Sequence, residues 1–382
     1  MKQLTGMSRR ARWAVPAGAV VVVGGVLAGS LISVAQAAPG LPAKTPAQLL
    51  ATLAAKPATP PLTGTVVETS SLGLPSLPGT SDPTSIASLL TGSHTIRVWY
   101  ADPQHFRLSV PQSMSESDVI RNGSNAWLWE SNQNTVTHVA IPAHGASKTH
   151  GAKQAMPTPA ATPLTPQQAA QDVLAKVGPT TTVRVDSNVT VAGEAAYQLV
   201  LAPKSSSSLI GEIRIAIDGS KDVPLRVQVF AKGGKSPAMQ IGYTSISFVK
   251  PAAANFAFTP PAGAKIEQQT LGDQPSQSKK APTGDASMIG KGWLAVADLP
   301  SSVVTDGTMA PAQRPSGSGL SGDSGEVINA LFKSATPVSG SWGSGRLVKT
   351  SLVSILITDN GRVFVGAVTP QVLYSAAAQA AK

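Results

Sequence analysis

With 382 residues the chain is long enough to bury a sizeable core, in one large domain or two smaller ones. Aromatic residues make up 4% and charged residues 13%, and 35 glycines with 31 prolines favour turns, loops and linkers over a tightly helical enzyme. The net charge of +10 is not gathered into a basic run interleaved with aromatics, which argues against nucleic acid as a partner.

Lys2, Arg9, Arg10 and Arg12 form a basic opening, Ala14–Val34 is an uncharged and mostly apolar run, and Ala35-Gln36-Ala37 is a small-x-small cleavage site. Residues 1–37 are therefore expected to be an export signal. The apolar run, at about 20 residues, also has the length of an uncleaved N-terminal membrane anchor, and both readings stay open. Ser8-Arg9-Arg10 is a weak signal for twin-arginine over general export. Cleavage removes four positive charges and no negative one, taking the net charge from +10 to +6. That balance leans towards anionic membrane or cell-wall surfaces. There is no cysteine, hence no disulfide and no thiol for lipid attachment at the signal boundary.

Thr45 and Pro46 mark the N-cap and first position of a helix whose apolar stripe is Leu49, Leu50 and Leu53. Thr63–Ser70 reads as a strand, followed by a Leu/Pro/Gly/Ser loop and a helical turn at Ser85–Leu90. The stretch from Ile96 to Val139 then holds five short β-branched and aromatic runs separated by turn formers: Ile96–Tyr100, Phe106–Val110, Ser117–Arg121, Ala126–Glu130 and Thr135–Val139. This is an antiparallel meander. Alternation puts Ile96, Val98 and Tyr100 on one face, with Arg97 and Trp99 on the other. Ala140–Thr162, rich in Pro, Ala, Gly, His and Lys, reads as a mobile insertion.

Thr165-Pro166 opens a second helix, Gln167–Val177, stopped by Gly178. Strands follow at Thr182–Asp186, Ala195–Ala202, Gly211–Ile217, Leu225–Phe230 and Gln240–Phe248, with turns at Asp218-Gly219 and Gly233-Gly234. Their one-sided apolar pattern belongs to an antiparallel sheet with one wet face. Asn255–Pro261 reads as a last extended piece and 267–285 as a polar linker. Beyond it, Gly292–Ala297 is expected to be a strand, Pro300–Gly322 a loop and Asp323–Lys333 a capped helix. Arg346–Thr358 and Arg362–Val368 flank the hairpin signal Asp359-Asn360-Gly361, and Thr369-Pro370 caps a closing helix.

The motifs that would carry chemistry fail on inspection. Gly322-Asp323-Ser324-Gly325 resembles a serine-protease nucleophile loop, but it lacks the second glycine and proline and no partner His or Asp is in place. Gly284–Lys291 has five residues rather than four between its glycines, and Gly292 stands where a phosphate loop needs Ser or Thr. His94, His105, His138, His144 and His150 show no ligand spacing, and the scattered acids form no glycosidase pair. The reading is a non-enzyme, with no cofactor and no metal.

One family resemblance rests on four motifs in order. Arg97-Val98-Trp99-Tyr100 leads to Pro103 through Arg107 (PQHFR), then to Asp118–Trp129 (DVIRNGSNAWLW). Later come Ala196–Leu201 (AYQLVL) and Phe256–Gly263 (FAFTPPAG). Residues 45–266 thereby resemble the LolA-like superfamily of lipoprotein carriers, which includes RseB-like sigma-factor regulators. In the second block Asn122 stands where the family has Asp. The insertions and the C-terminal region, 286–382, depart from the minimal carrier. The alanine- and proline-rich composition points to an actinobacterial type, in which an outer membrane for lipoprotein delivery is not assured.

The resemblance implies an α+β, mainly β fold: an antiparallel incomplete β-barrel covered by helices and enclosing a hydrophobic cavity, here with a small C-terminal α+β appendage. It implies an exported, extracytoplasmic binder of an acyl lipid or lipoprotein. The candidate cavity residues are Val98, Tyr100, Phe106, Leu108, Trp127, Trp129, Leu199, Ile215 and Val227. Alternation alone does not tell the concave from the convex face, so Trp99 or Leu128 are the alternatives. A second implied function is an RseB-like envelope-stress regulator that holds an anti-sigma factor or another membrane protein.

Overall fold

The computed structural model describes residues 40–55, 58–73, 91–112, 114–141, 165–174, 178–270, 287–300 and 335–380. The expected signal, the helical turn at Ser85–Leu90, nearly all of the insertion after Ala140, and the helix from Asp323 lie outside the described residues.

Two short helices start in the same way. In α1 (Pro46–Ala54), Thr45 Oγ1 accepts from Gln48 N, while the Gln48 side chain accepts from Thr45 N at 2.7 Å. In α2 (Pro166–Leu174), Thr165 and Gln168 repeat this reciprocal pair, with Gln168 accepting from Thr165 N at 2.8 Å. The local reason is the sequence Thr-Pro-x-Gln: proline presets the first turn, and the Thr and Gln side chains each satisfy an orphan amide. Leu49 and Leu53 of α1 and Ala170 of α2 are buried against the sheet.

The meander is present as β2 (Thr91–Asp102), β3 (His105–Pro111), β4 (Glu116–Asn122), β5 (Asn125–Glu130) and β6 (Thr135–Ala140), preceded by β1 (Leu62–Ser71). The later strands are β7 (Thr181–Val191), β8 (Glu194–Pro203), β9 (Ile210–Asp218), β10 (Pro224–Ala231) and β11 (Pro237–Ser247). β1 pairs with β2 on one side and with β11 on the other, so the two meanders join into one sheet. A last strand, β12 (Lys265–Thr270), completes it. Its order is β12-β6-β5-β4-β3-β2-β1-β11-β10-β9-β8-β7, and its two ends do not pair with each other. The result is a large, mainly antiparallel, unclosed sheet with helices on one face.

β12 is the one parallel neighbour, running beside β6. It enters the stretch read as polar linker, because an edge strand with mostly exposed side chains carries little apolar signal. Asn134, at φ 50°, anchors its start by donating from Nδ2 to Gly263 O at 2.9 Å. The expected extended piece at Asn255–Pro261 instead begins with a 3-10 turn, Ala253–Phe256, whose Phe256 is buried.

The C-terminal residues form a six-stranded sheet. Its strands are β13 (Ser287–Ile289), β14 (Val296–Pro300), β15 (Thr336–Gly340), β16 (Gly343–Lys349), β17 (Ser354–Thr358) and β18 (Arg362–Gly366). They lie in the order β13-β14-β18-β17-β16-β15. α3 (Pro370–Ala380) covers the sheet, burying Leu373, Ala376 and Ala377 with Leu356 and Phe364. Two expectations are corrected here. Gly292–Leu294 is a 3-10 turn preceded by left-handed Gly290, at φ 79°, and opened by left-handed Gly292, at φ 59°, so the strand starts only at Val296. Arg346–Thr358 is split into β16 and β17 by a turn in which Thr350 Oγ1 accepts from Leu352 N and Val353 N.

This second sheet is packed on the first. Buried Trp293 donates from Nε1 to Thr181 Oγ1 on edge strand β7 at 2.7 Å. Leu209 N donates to Ala367 O and Thr369 N to Ser207 O. Leu72, Ala238 and Leu352 close an apolar contact at the far end of β1.

Candidate functional site: an apolar groove under helix α2

Alternation on β2 and β3 builds the groove floor. Val98 pairs with Leu108 and Tyr100 with Phe106, so all four side chains leave the same face of the sheet. Leu62 of β1 stands across from Tyr100, and Tyr243 joins from β11. Thr165, Gln167 and Gln168 at the start of α2 form the roof, with Thr59 and Pro103 completing the lining. The open groove has a volume of about 300 Å³, at the lower end of the size range of small-molecule pockets, and its walls are mostly apolar with a few amides and hydroxyls. Tyr243 accepts a hydrogen bond from Gln167 Nε2 at 3.4 Å, and burial pushes its hydroxyl up to about 12, so it stays a neutral donor.

A smaller, separate cavity of about 130 Å³ lies under the same helix, lined by Val227, Val229, Met239, Gln240 and Ile241 of the sheet and Ala169, Asp172 and Val173 of α2. Glu68 also faces it. The registers place His94, Glu68, Ile241, Val227, Ile215 and Leu199 in one row across six strands. Ile215 and Leu199, at the far end of that row, are fully buried core.

Of the expected cavity residues, Val98, Tyr100, Phe106 and Leu108 thus line the main cavity, and Val227 the smaller one. Trp127 and Trp129 do not share their face, which corrects the expectation. Leu108 pairs with Val119 and Val119 with Leu128, so Leu128 is on the groove side and the two tryptophans are on the reverse. The physical reason is that a period of two fixes which residues go together but not which set faces the helices. Trp99 pairs with Arg107 and is on the reverse face as well.

That reverse face is a separate structure. Trp127 stacks on His138 with ring centroids 5.4 Å apart and meets Phe258 at 6.0 Å. Phe256 lies 6.1 Å from His105, so the Phe-Ala-Phe strip lies along the back of the meander. Arg107 pairs with buried Asp118, reaches Glu116 at 3.4 Å, and lies 5.6 Å from the Trp99 ring. Burial and the neighbouring Glu116 raise the Asp118 carboxyl from 3.8 to about 6, despite the Arg107 charge.

Sequence reasoning missed Leu62, Tyr243, Gln167 and Glu68. Glu68 was within reach: in Leu62–Ser71 it falls at the same parity as Leu62 and Val66, a carboxylate on an apolar face. Among the described residues there is no group of three or more His, Asp or Glu side chains that could hold a metal ion.

Comparison with solved structures gives several similar chains. The Pseudomonas aeruginosa MucA/MucB complex matches at 15% identity and a TM-score of 0.40, over 87% of this chain and 96% of that one. An uncharacterised conserved protein of Thermus thermophilus matches at 12% and 0.31, over 58% and 99%. A LolA superfamily protein of Nitrosomonas europaea matches at 10% and 0.21, over 56% and 99%. The chain is similar to LolA-superfamily and MucB structures. No family model matches it, and neither does any curated protein.

Proposed function

We propose that this chain is an exported, non-enzymatic binder that takes an acyl chain of a lipid or lipoprotein into the groove under α2. The carrying observation is the cavity of about 300 Å³ floored by Leu62, Val98, Tyr100, Phe106 and Leu108, with mostly apolar walls. Burial of each methylene contributes about 0.8 kcal/mol, so eight buried methylenes supply roughly 6 kcal/mol without any reactive group. Export rests on the basic opening, the apolar run and the Ala-x-Ala site at the start of the sequence. The domain division we propose follows the two sheets: the expected half-barrel of 45–266 is extended to residue 270 so that it includes β12, and 286–382 is the smaller lobe. The test is native mass spectrometry of protein purified from its own host, before and after delipidation, with titration of a fluorescent acyl probe. Absence of both bound lipid and probe binding refutes the reading.

A second reading is a regulator that holds a membrane-protein partner, as an RseB-like protein would hold an anti-sigma factor. It is favoured by the second sheet, which lines with the first a further, open cavity of about 380 Å³ between Ile213, Met239, Trp293 and Leu352. Pull-down from the host envelope separates the two: recovery of a single-pass membrane protein supports regulation, and its absence under envelope stress counts against it.

A further inference from the structure

The smaller cavity has one feature that an acyl chain does not explain. Glu68 is 9% exposed, and its Oε2 has no hydrogen-bond partner among the described residues. It faces a cavity whose other sheet-side walls are Val227, Val229, Met239, Gln240 and Ile241; the Gln240 side-chain oxygen accepts from Gln228 Nε2 at 2.6 Å. A buried carboxylate oxygen without a partner is costly, and native proteins keep such groups where a ligand or water satisfies them. The groups facing it from neighbouring elements are few. His94 stands across from it on β2, and its charge offsets part of the rise that burial causes in the Glu68 carboxyl. Ile241 stands across on β11. From α2 comes Asp172, an exposed second carboxylate at the rim, which also lines the adjoining cavity reached from Gln167 and Gln168.

We infer that the Glu68 cavity is a subsite for a primary ammonium group carried by the bound amphiphile. This rests on the acyl-groove reading above. A carboxylate inside and a second at the mouth favour a cation over an anion or a neutral group; Glu68 acts in the low-dielectric shelter of the helix and sheet, and exposed Asp172 adds a smaller, solvent-screened attraction. A cavity of about 130 Å³ has room for a short aminoalkyl group, and a third cavity lies between it and the apolar groove, sharing Gln167 and Gln168 with the groove and Asp172 with the Glu68 cavity. Arginine's guanidinium is broader and planar, whereas an ammonium is a compact point charge with three donors.

The experiment is calorimetric titration of the full chain with decylammonium, decanol and decanoate, each below its micelle concentration, at pH 7.5. Decylammonium is expected to bind about tenfold more tightly than decanol, from one charge-assisted hydrogen bond to a buried acceptor. Decanoate is expected to bind weakest. Glu68→Gln should abolish the ammonium preference while decanol affinity stays within about twofold. Because Glu68 is buried, Asp172→Asn on the exposed side of α2 serves as a second variant; it should weaken decylammonium alone, by about two- to threefold. Equal affinities for the three ligands, or a preference that survives Glu68→Gln, overturns the subsite and leaves the groove; an exchangeable water would then satisfy Glu68. Failure of all three to bind overturns both.

Discussion

Replacing Leu108 by Asn tests which face of the sheet receives the ligand. Leu108 lines the main cavity, pairs with Val98, and packs only partly buried against the core, and asparagine keeps its branched shape at a smaller volume. It removes two methyl groups from the ligand's contact, at about 0.8 kcal/mol each, and adds an amide that the chain would desolvate at a further cost of about 1 kcal/mol. A loss of about 2–3 kcal/mol corresponds to roughly 30- to 150-fold weaker binding. The matched control is Trp127→Phe on the reverse face. It shrinks the contact with His138 and Phe258 and should cost about 1 kcal/mol of stability with no change in affinity. The assay is titration of a fluorescent acyl probe, with urea unfolding run on the same samples. If Trp127→Phe weakens binding as much as Leu108→Asn, or if neither does, the face assignment by strand register does not govern the ligand and the reasoning fails.

Three further expectations concern the frame. Gly64→Ala places a Cβ 2.7 Å from Ser245 O and 2.9 Å from the Tyr243 ring, so it should destabilise by about 1–3 kcal/mol in urea unfolding and lower probe affinity by displacing Tyr243. Trp293→Phe deletes the buried donor to Thr181 and should cost about 1–2 kcal/mol, read as faster proteolysis of the C-terminal lobe. For Asp118, the carboxyl is raised in the folded state, so the native chain holds its proton up to about pH 6 while the unfolded chain releases it near 3.8. Its contribution to stability therefore falls as pH rises through that window. Asp118→Asn, which keeps a neutral side chain, should gain in thermal midpoint relative to the parent between about pH 4 and pH 7; a difference that shrinks instead would overturn the assigned direction.

Most of the framework was legible because the chemistry is local. Turn formers separate the five strands of Ile96–Val139, and Thr-Pro-x-Gln opens both helices through their own side chains. What was not legible depends on partners distant in sequence. That β1 bridges the two meanders is decided by its pairing with β11, far along the chain. β12 has an almost wholly polar sequence and exists because β6 offers a free edge. The groove face follows from where α2 lands, and neither tryptophan carries that information in its own alternation. Phe256 and Phe258 looked like the end of the sheet, yet they are on the side where Trp127 needs cover.

Helix α2 borders the main groove and the neighbouring cavities. It has nine residues, too few to be stable as an isolated helix in water. It is held by burial of Ala170, by the Gln167 contact with Tyr243, and by Gln171 donating to Leu53 O at the end of α1. Its residues line the main groove, the Glu68 cavity, and the cavity between the two sheets, where Asp172 and Val173 meet Trp293 and Leu352. Ala169, Val173 and Leu174 also pack against the core, and these cavities open beneath the helix. A chain entering the groove therefore acts on the same apolar surface that seats the helix, so ligand affinity and helix docking are one coupled free energy. Val173 of the same helix and Trp293 of the C-terminal lobe line one cavity between the two sheets.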